Sequence, residues 1–307
     1  MSILLLISPL IVVIFLGYVS AKSQWLTATT VQGLSKLTFQ LFIPAFLFKQ
    51  MATAHFPEHV NADFFGAFYL PVLLCFSIAW LIRYYYTTPT NEHLNAASAV
   101  YALAASYSNT VIIGLPIVLM MQGQQALVLV FLIVTFHSAL LFSLTSVLAA
   151  KQQHFSWSSL LNNTVNNPLI ISISLGALVN VIGIVIPHWL LSSLTLLSSP
   201  AIALALYILG ASLTNYQLTE AKRFVIIATL LKLMLLPAMV WFAAHHVFHL
   251  STSTTQVLVI LSACPTGVNA YLTAANLKAQ QQTVASTVLL STVMSVFSLP
   301  LWLYWLS

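Results

Sequence analysis

Ten apolar runs, each close to the length of a membrane span, follow one another along the chain with little between them. They cover residues 2–21, 30–49, 62–84, 93–121, 125–149, 164–186, 190–214, 221–244, 252–277 and 282–305. A hydrocarbon core about 30 Å thick takes roughly 20 helical residues to cross. Only 4% of the 307 residues are charged and 60% are hydrophobic, where soluble domains carry about 25% charged residues. The chain reads as an integral membrane protein, all-α and polytopic, and a soluble enzyme domain does not fit. The longest polar linker, Lys151 to Asn163, has no room for a soluble domain. Met1 to Ala21 has neither the positive leader nor the small-residue cleavage site of a signal peptide and reads as the first retained helix. Cys75 and Cys264 lie inside apolar runs and follow no metal or redox spacing.

The basic residues test the count of ten. Loops after odd-numbered runs hold Lys22, Arg83, Lys151, Lys222, Arg223 and Lys278, the opposite loops hold only Lys49, and Lys36 and Lys232 fall within runs. Cytoplasmic loops are enriched in Lys and Arg, so this bias supports ten spans with both termini outside. It also accounts for the net charge of +5 as a topology signal, leaving no nucleic-acid footprint.

Ten spans divide into five and five, and an odd-numbered unit repeated in tandem inserts with opposite orientation, as in many secondary transporters. Residues 1–150 form the first five-helix repeat and 151–307 the second, inverted one, with scaffold and transport parts each drawn from both. Leu16-Gly17 precedes Pro44-Ala45 much as Leu175-Gly176 precedes Pro200-Ala201, and Tyr69-Leu70-Pro71 answers Leu235-Leu236-Pro237.

The fourth run is interrupted by Ser108-Asn109-Thr110-Val111-Ile112-Ile113-Gly114-Leu115-Pro116 and the ninth by Ala263-Cys264-Pro265-Thr266-Gly267-Val268-Asn269. Proline removes a backbone donor and frees a carbonyl, which lipid cannot satisfy, so such breaks persist beside protein or a water-filled cavity. If both runs break near the midplane, their unwound segments cross, and half-helix N-termini, each worth about +0.5 charge, converge as an anion site. Gly114 and Gly267 allow close backbone approach, while Asn109, Thr110, Thr266 and Asn269 offer neutral hydrogen-bonding groups. The plainer alternative is a pair of proline kinks with polar glue between helices.

Lys232 lies twelve residues after Glu220 and thirteen before His245, about 18 Å along a helix, too deep to snorkel easily to either interface. It pairs with a substrate carboxylate or with unwound backbone carbonyls of the ninth run, and both readings place it near the site. His137 sits midway along the fifth run and is either a satisfied buried imidazole or a proton-coupling residue. Lys36 and Lys49 sit near helix ends and snorkel. His55, His59, His188, His245, His246 and His249 fall on the outer side. The pairs His55/His59 and His245/His249 have a spacing that could ligate metal, but no His-Glu-x-x-His pattern accompanies them, and no metal or other cofactor is expected. Glu58, Asp63, Glu92 and Glu220 all lie at or near loops, which disfavours coupling through a buried acid.

Together these residues resemble the auxin efflux carrier family, which includes plant carriers and bacterial malate and malonate permeases. The likeness rests on Pro44-Ala45-Phe46-Leu47-Phe48, Asn109-Thr110 followed by Gly114-Leu115-Pro116, Asn167-Pro168, Leu204 to Leu213 ending Leu-Gly-Ala-Ser-Leu, Lys232-Leu233 ahead of Pro237, and Pro265. The resemblance implies two inverted five-helix repeats with crossing fourth and ninth helices, often as homodimers, with Asn109, Pro116 and Pro265 lining the crossover. The chain lacks the plant carriers' long central loop and so looks like the bacterial branch; Ser108 stands where those carriers often have proline. The reading is a plasma-membrane carrier, not an enzyme, for a small malate-like organic anion. Alternatives are an ion-coupled carrier of a neutral or auxin-like aromatic-acid solute, and a membrane receptor.

Overall fold

The computed structural model describes residues 3–54, 62–86, 94–149, 167–215 and 222–306. His55, Glu58, His59, Glu92, Glu220 and the linker from Lys151 to Asn163 lie outside the described residues. Everything described is helix or short connection, with one isolated two-residue bridge. The helical segments are α1 (Ile3–Lys22), α2 (Ala28–Ala52), α3 (Ala62–Tyr85), α4 (Leu94–Ser106), α5 (Thr110–Gln122), α6 (Gln124–Ala149), α7 (Pro168–Ile182), α8 (His188–Ser212), α9 (Lys222–Val247), α10 (Thr252–Ala263), α11 (Val268–Asn276) and α12 (Gln281–Leu306). Among the described residues, six of these, α2, α3, α6, α8, α9 and α12, are long and apolar enough to cross a membrane.

The ends follow local chemistry. Thr27 caps α2 by accepting from the Thr30 amide, Asn167 caps α7 through the Leu169 amide at 2.9 Å, and Gly183, at φ 77°, closes α7 in the left-handed conformation. The run expected over 164–186 is therefore shorter as a helix, bounded by that Asn-Pro start and that glycine. Three interior prolines follow one rule. Pro44, Pro116 and Pro237 each come two residues after a five-residue wide turn, over Thr38–Phe42, Thr110–Gly114 and Leu231–Leu235, whose closing amides bond five residues back. Proline lacks an N–H and clashes with the carbonyl four residues earlier; widening the turn relieves the clash while keeping the helix. The carbonyl vacated by Pro237, that of Leu233, accepts the Trp302 indole N–H at 2.8 Å.

The chain divides into two compact units. Unit 1 comprises Met1–Pro57, Pro116–Thr135 and Trp157–Asn215; unit 2 comprises Glu58–Leu115, Phe136–Ser156 and Tyr216–Ser307. In unit 1, α1 packs on α8 and α2 on α7. The first contact is backbone against backbone: a Cβ on Gly17 would strike the Tyr207 carbonyl, and one on Gly210 the Ile14 carbonyl. Small residues permit such approach between helices in lipid. At the second contact Asn180 Nδ2 faces the carbonyls at the end of α2, donating to Ala54 O at 2.7 Å and Met51 O at 3.0 Å. Asn180→Ala is expected to lower stability by about 1–2 kcal/mol by orphaning those carbonyls, seen as a lower melting temperature in detergent.

In unit 2, α3 packs on α4, and α9 packs on α10 and α12. At one end Arg83 of α3 lies 4.4 Å over the Phe224 ring and Arg223 of α9 6.0 Å over Tyr86, bringing basic residues at the ends of two helices to the same side.

Candidate functional site

Two helical runs stop inside unit 2 and meet there. α4 ends at Ser106 and α5 begins at Thr110; α10 ends at Ala263 and α11 begins at Val268. The residues between lie antiparallel, with Ser108 bridged to Thr266. Asn109 N–H donates to Pro265 O at 2.9 Å and Gly267 N–H to Tyr107 O at 3.0 Å. Each break thus supplies partners for backbone groups the other has released, which a buried irregular segment requires.

The remaining vacancies are filled by the same exchange in both breaks. In a continuous helix Ser108 N–H would bond Ala104 O; here it donates to His137 Nε2 at 3.0 Å, and Ala104 O accepts the Thr266 hydroxyl at 2.8 Å. In a continuous helix Thr266 N–H would bond Ser262 O; here it donates to Ser291 Oγ at 3.0 Å, and Ser262 O accepts Lys232 Nζ at 2.5 Å. Each break therefore keeps one amide acceptor from a neighbouring long helix, His137 on α6 and Ser291 on α12, and one donor for the vacated carbonyl. This explains why the first break forms without a proline at Ser108: an imidazole lone pair draws the amide away from its helical partner.

Lys232 is fully buried, and its bond to Ser262 sets a basic side chain against the C-terminal end of α10. That end carries about −0.5 charge. Of the two partners considered for this lysine, backbone carbonyls of the broken helix are the one in contact. His137 is stacked on Tyr107, ring centroids 5.1 Å apart and 12° from parallel. Tyr107 Oη bonds Ser138 Oγ at 2.8 Å and receives Asn269 Nδ2 at 3.4 Å. Gly267 meets the Tyr107 ring so closely that a Cβ there would collide with it.

The structure gathers Asn109, Thr110, Pro265, Thr266, Gly267 and Asn269 at the paired breaks. Asn109 caps α5, its Oδ1 accepting from the Ile112 amide at 3.4 Å, while its Nδ2 has no partner among the described residues. Thr266 uses its hydroxyl within the break, and Asn269 is exposed on the first turn of α11. Gly114 closes the wide turn by donating to Asn109 O at 3.2 Å. Pro116 lies further along α5, inside regular helix, and does not make the break. Sequence reasoning missed Tyr107, Ser138, Ser262 and Ser291, which carry no motif; only Tyr107, adjoining the Ser-Asn pair, had a signal in its position.

Three polar atoms at the first break, Ser108 Oγ and Asn109 Nδ2 within it and Nδ1 of His137 on α6, are buried without a hydrogen-bond partner among the described residues. Ser108, Asn109 and His137 are 1%, 5% and 1% exposed. Buried polar groups are nearly always paired, and these three orphans stand where the helix stops before α5 begins. The outer histidines are set differently: His245 stacks on Trp241, centroids 5.5 Å apart. Among the described residues no three His, Cys, Asp or Glu side chains group as metal ligands.

Residues 2–303 match the family described as "Membrane transport protein". The chain belongs to this family, that of the auxin efflux carriers. It is similar to the "Putative malonate transporter" of Rhizobium meliloti (strain 1021), 24% identical over 301 residues that cover 95% of this chain and 92% of that one. It is also similar to the "Uncharacterized transporter YfdV" of Escherichia coli (strain K12), 23% identical over 305 residues that cover 96% of this chain and 95% of that one. The paired breaks are thus a feature of a membrane transporter.

Proposed function

We propose that this transporter carries a small organic anion, malate-like or malonate-like, across the plasma membrane by alternating access about the paired breaks, as a secondary active or facilitative carrier. The observation that carries the reading is the unpartnered, buried Asn109 Nδ2 beside the N-termini of α5 and α11. A carboxylate supplies the acceptors these donors lack, and the helix ends favour its charge. Lys232, bonded at the end of α10, offsets the partial negative charge that would otherwise repel the anion. Thr110, Thr266 and Asn269 complete the polar lining, with Gly114, Pro116, Pro265 and Gly267 shaping the backbone around it. The name of the Rhizobium relative agrees in ligand chemistry.

The topology proposed with this mechanism has ten spans in two inverted repeats, 1–150 and 151–307, with α4–α5 as the fourth span, α10–α11 as the ninth, and both termini outside. It is supported by the matched exchange at the two breaks and by the reciprocal contact of Gly17 and Gly210 in unit 1.

The test is uptake of labelled malonate or malate into proteoliposomes with the potential clamped at either sign, where each net charge contributes about 2.3 kcal/mol per 100 mV. Asn109→Ala is expected to reduce saturable flux by about tenfold or more, the loss of a hydrogen bond to a charged group. Wild-type flux that Asn109→Ala leaves intact would remove the breaks as the binding site. No wild-type flux of either acid would redirect the search to aromatic-acid or neutral solutes.

A further inference from the structure

The two breaks solve one problem with two unlike acceptors. On α12 the acceptor for the Thr266 amide is a serine hydroxyl, which does not titrate near neutral pH; on α6 the acceptor for the Ser108 amide is an imidazole nitrogen, and an unperturbed imidazole does. A backbone N–H is always a donor, so His137 Nε2 must present its lone pair and the ring proton must sit on Nδ1. In this conformation His137 is neutral. A second proton has only Nε2 to occupy, and there it would meet the Ser108 N–H head-on across 3.0 Å. Protonation of His137 and the Ser108–His137 bond therefore exclude one another.

We propose that His137 takes up a proton as the transported anion binds, changing from the acceptor of the Ser108 amide into a donor toward the anion, so that the carrier moves protons together with its substrate. One N–H bond forms at Nε2 as one O–H bond of a hydronium ion breaks and leaves water; the hydrogen bond from Ser108 is lost with it, and no other covalent bond changes. The released Ser108 N–H, the Asn109 Nδ2 already without a partner, and the new Nε2–H are then three donors on adjoining residues, matched to one carboxylate. Proton and anion leave together, and the lone pair recaptures the amide. The direction of movement of the anion as a carboxylate rests on the proposed function above; the exclusion between proton and amide does not.

The surroundings leave this exchange to His137. Its ring faces Tyr107 of the break, and Phe68 and Tyr69 of α3 at 5.6 and 6.3 Å. Lys232 of α9 is the charge that interacts with it, and being positive it opposes an imidazolium there until an anion is bound. The one Asp or Glu among the described residues, Asp63, is exposed at the start of α3. No described carboxylate competes for the proton or fixes the imidazolium in place, so a carboxylate brought by the ligand is the counter-charge available.

Proton uptake by the weakly buffered purified transporter as malonate is added at about pH 7, where malonate itself is almost fully ionised, tests the switch. Wild type is expected to take up close to one proton for each malonate bound. His137→Gln, whose amide oxygen accepts the Ser108 N–H and does not titrate, is expected to take up none. Malonate binding by wild type without proton uptake, or the same uptake by His137→Gln, overturns the proposal; should the variant not fold, the wild-type measurement alone still can. Malonate binding to the purified transporter supplies the second arm. The ratio of wild-type to His137→Gln affinity, which cancels the titration of malonate itself, is expected to rise by up to about tenfold per pH unit as the pH falls, the limit for one linked proton. A wild type that binds no malonate removes the carboxylate as its ligand, and with it the proposed function; binding with a flat ratio removes the proton exchange alone.

Discussion

Lys232→Met is expected to reduce malonate flux by about ten- to a hundredfold, the equivalent of losing one hydrogen bond from a charged donor, while the protein still folds. The methionine keeps most of the buried volume, so packing around α9 survives. What disappears is the only described partner of the Ser262 carbonyl that the break vacates, and with it a positive charge at the C-terminal end of α10. That end then sets its partial negative charge against an anion held a few residues away. Initial rates in proteoliposomes, read beside melting temperatures in detergent, separate the two effects. A variant that transports normally would show that the lysine is packing and nothing more; one that cannot be purified folded would show that it holds the break together before any ligand arrives. Arginine is not expected to rescue it, because a planar guanidinium does not fit a fully enclosed site shaped for an ammonium.

Gly210→Leu is expected to abolish folded protein. The contact between α1 and α8 is made by two glycines facing opposite backbones, and at each the first atom a side chain would meet is a carbonyl oxygen, which no rotamer change can move. The helices would have to separate, giving up the close packing that holds helices together where lipid is as apolar as they are. Overpacking of this kind costs about 3 kcal/mol or more. Gly33→Ala on α2 is the control: a Cβ there meets nothing within 4 Å, and the helix gains about 0.5–1 kcal/mol from alanine. Size-exclusion profiles of the two variants should diverge completely. A monodisperse Gly210→Leu protein with wild-type melting would mean that α1 and α8 do not pack in this way.

The positions of the helices were legible because a bilayer imposes a length, and apolar runs of that length mark themselves: the run expected over 62–84 is Ala62–Tyr85 and that over 282–305 is Gln281–Leu306. The two interruptions were legible as well, because Asn-Thr and Pro-Thr-Gly have no reason to stand inside an apolar run unless the helix stops. The position of the first break was less so. Pro116 drew attention to the far end of the motif, whereas the helix opens at Tyr107–Asn109 and tolerates Pro116 through a wide turn. No local rule could show this, since the cause is a lone pair on a histidine 29 residues away in sequence. The partners of Lys232 and Gly17 were hidden for a similar reason. Depth in the membrane can be counted from sequence, but which distant backbone lies opposite depends on how the helices assemble.

The wide turns before Pro44, Pro116 and Pro237 have a consequence for inheritance. Each holds one residue more than an α-helical turn between the same backbone bonds, and one residue turns a helix face by about 100°. In regular helix a one-residue deletion would therefore rotate half of the span away from its neighbours, whereas a wide turn takes up its extra residue without turning the helix beyond it. A single-codon deletion within such a turn would close it to an ordinary turn and leave both faces where they are, but would bring back the proline's clash with the carbonyl four residues earlier. Relatives that lack the extra residue should thus also lack the proline, while the same side chains still face the interior.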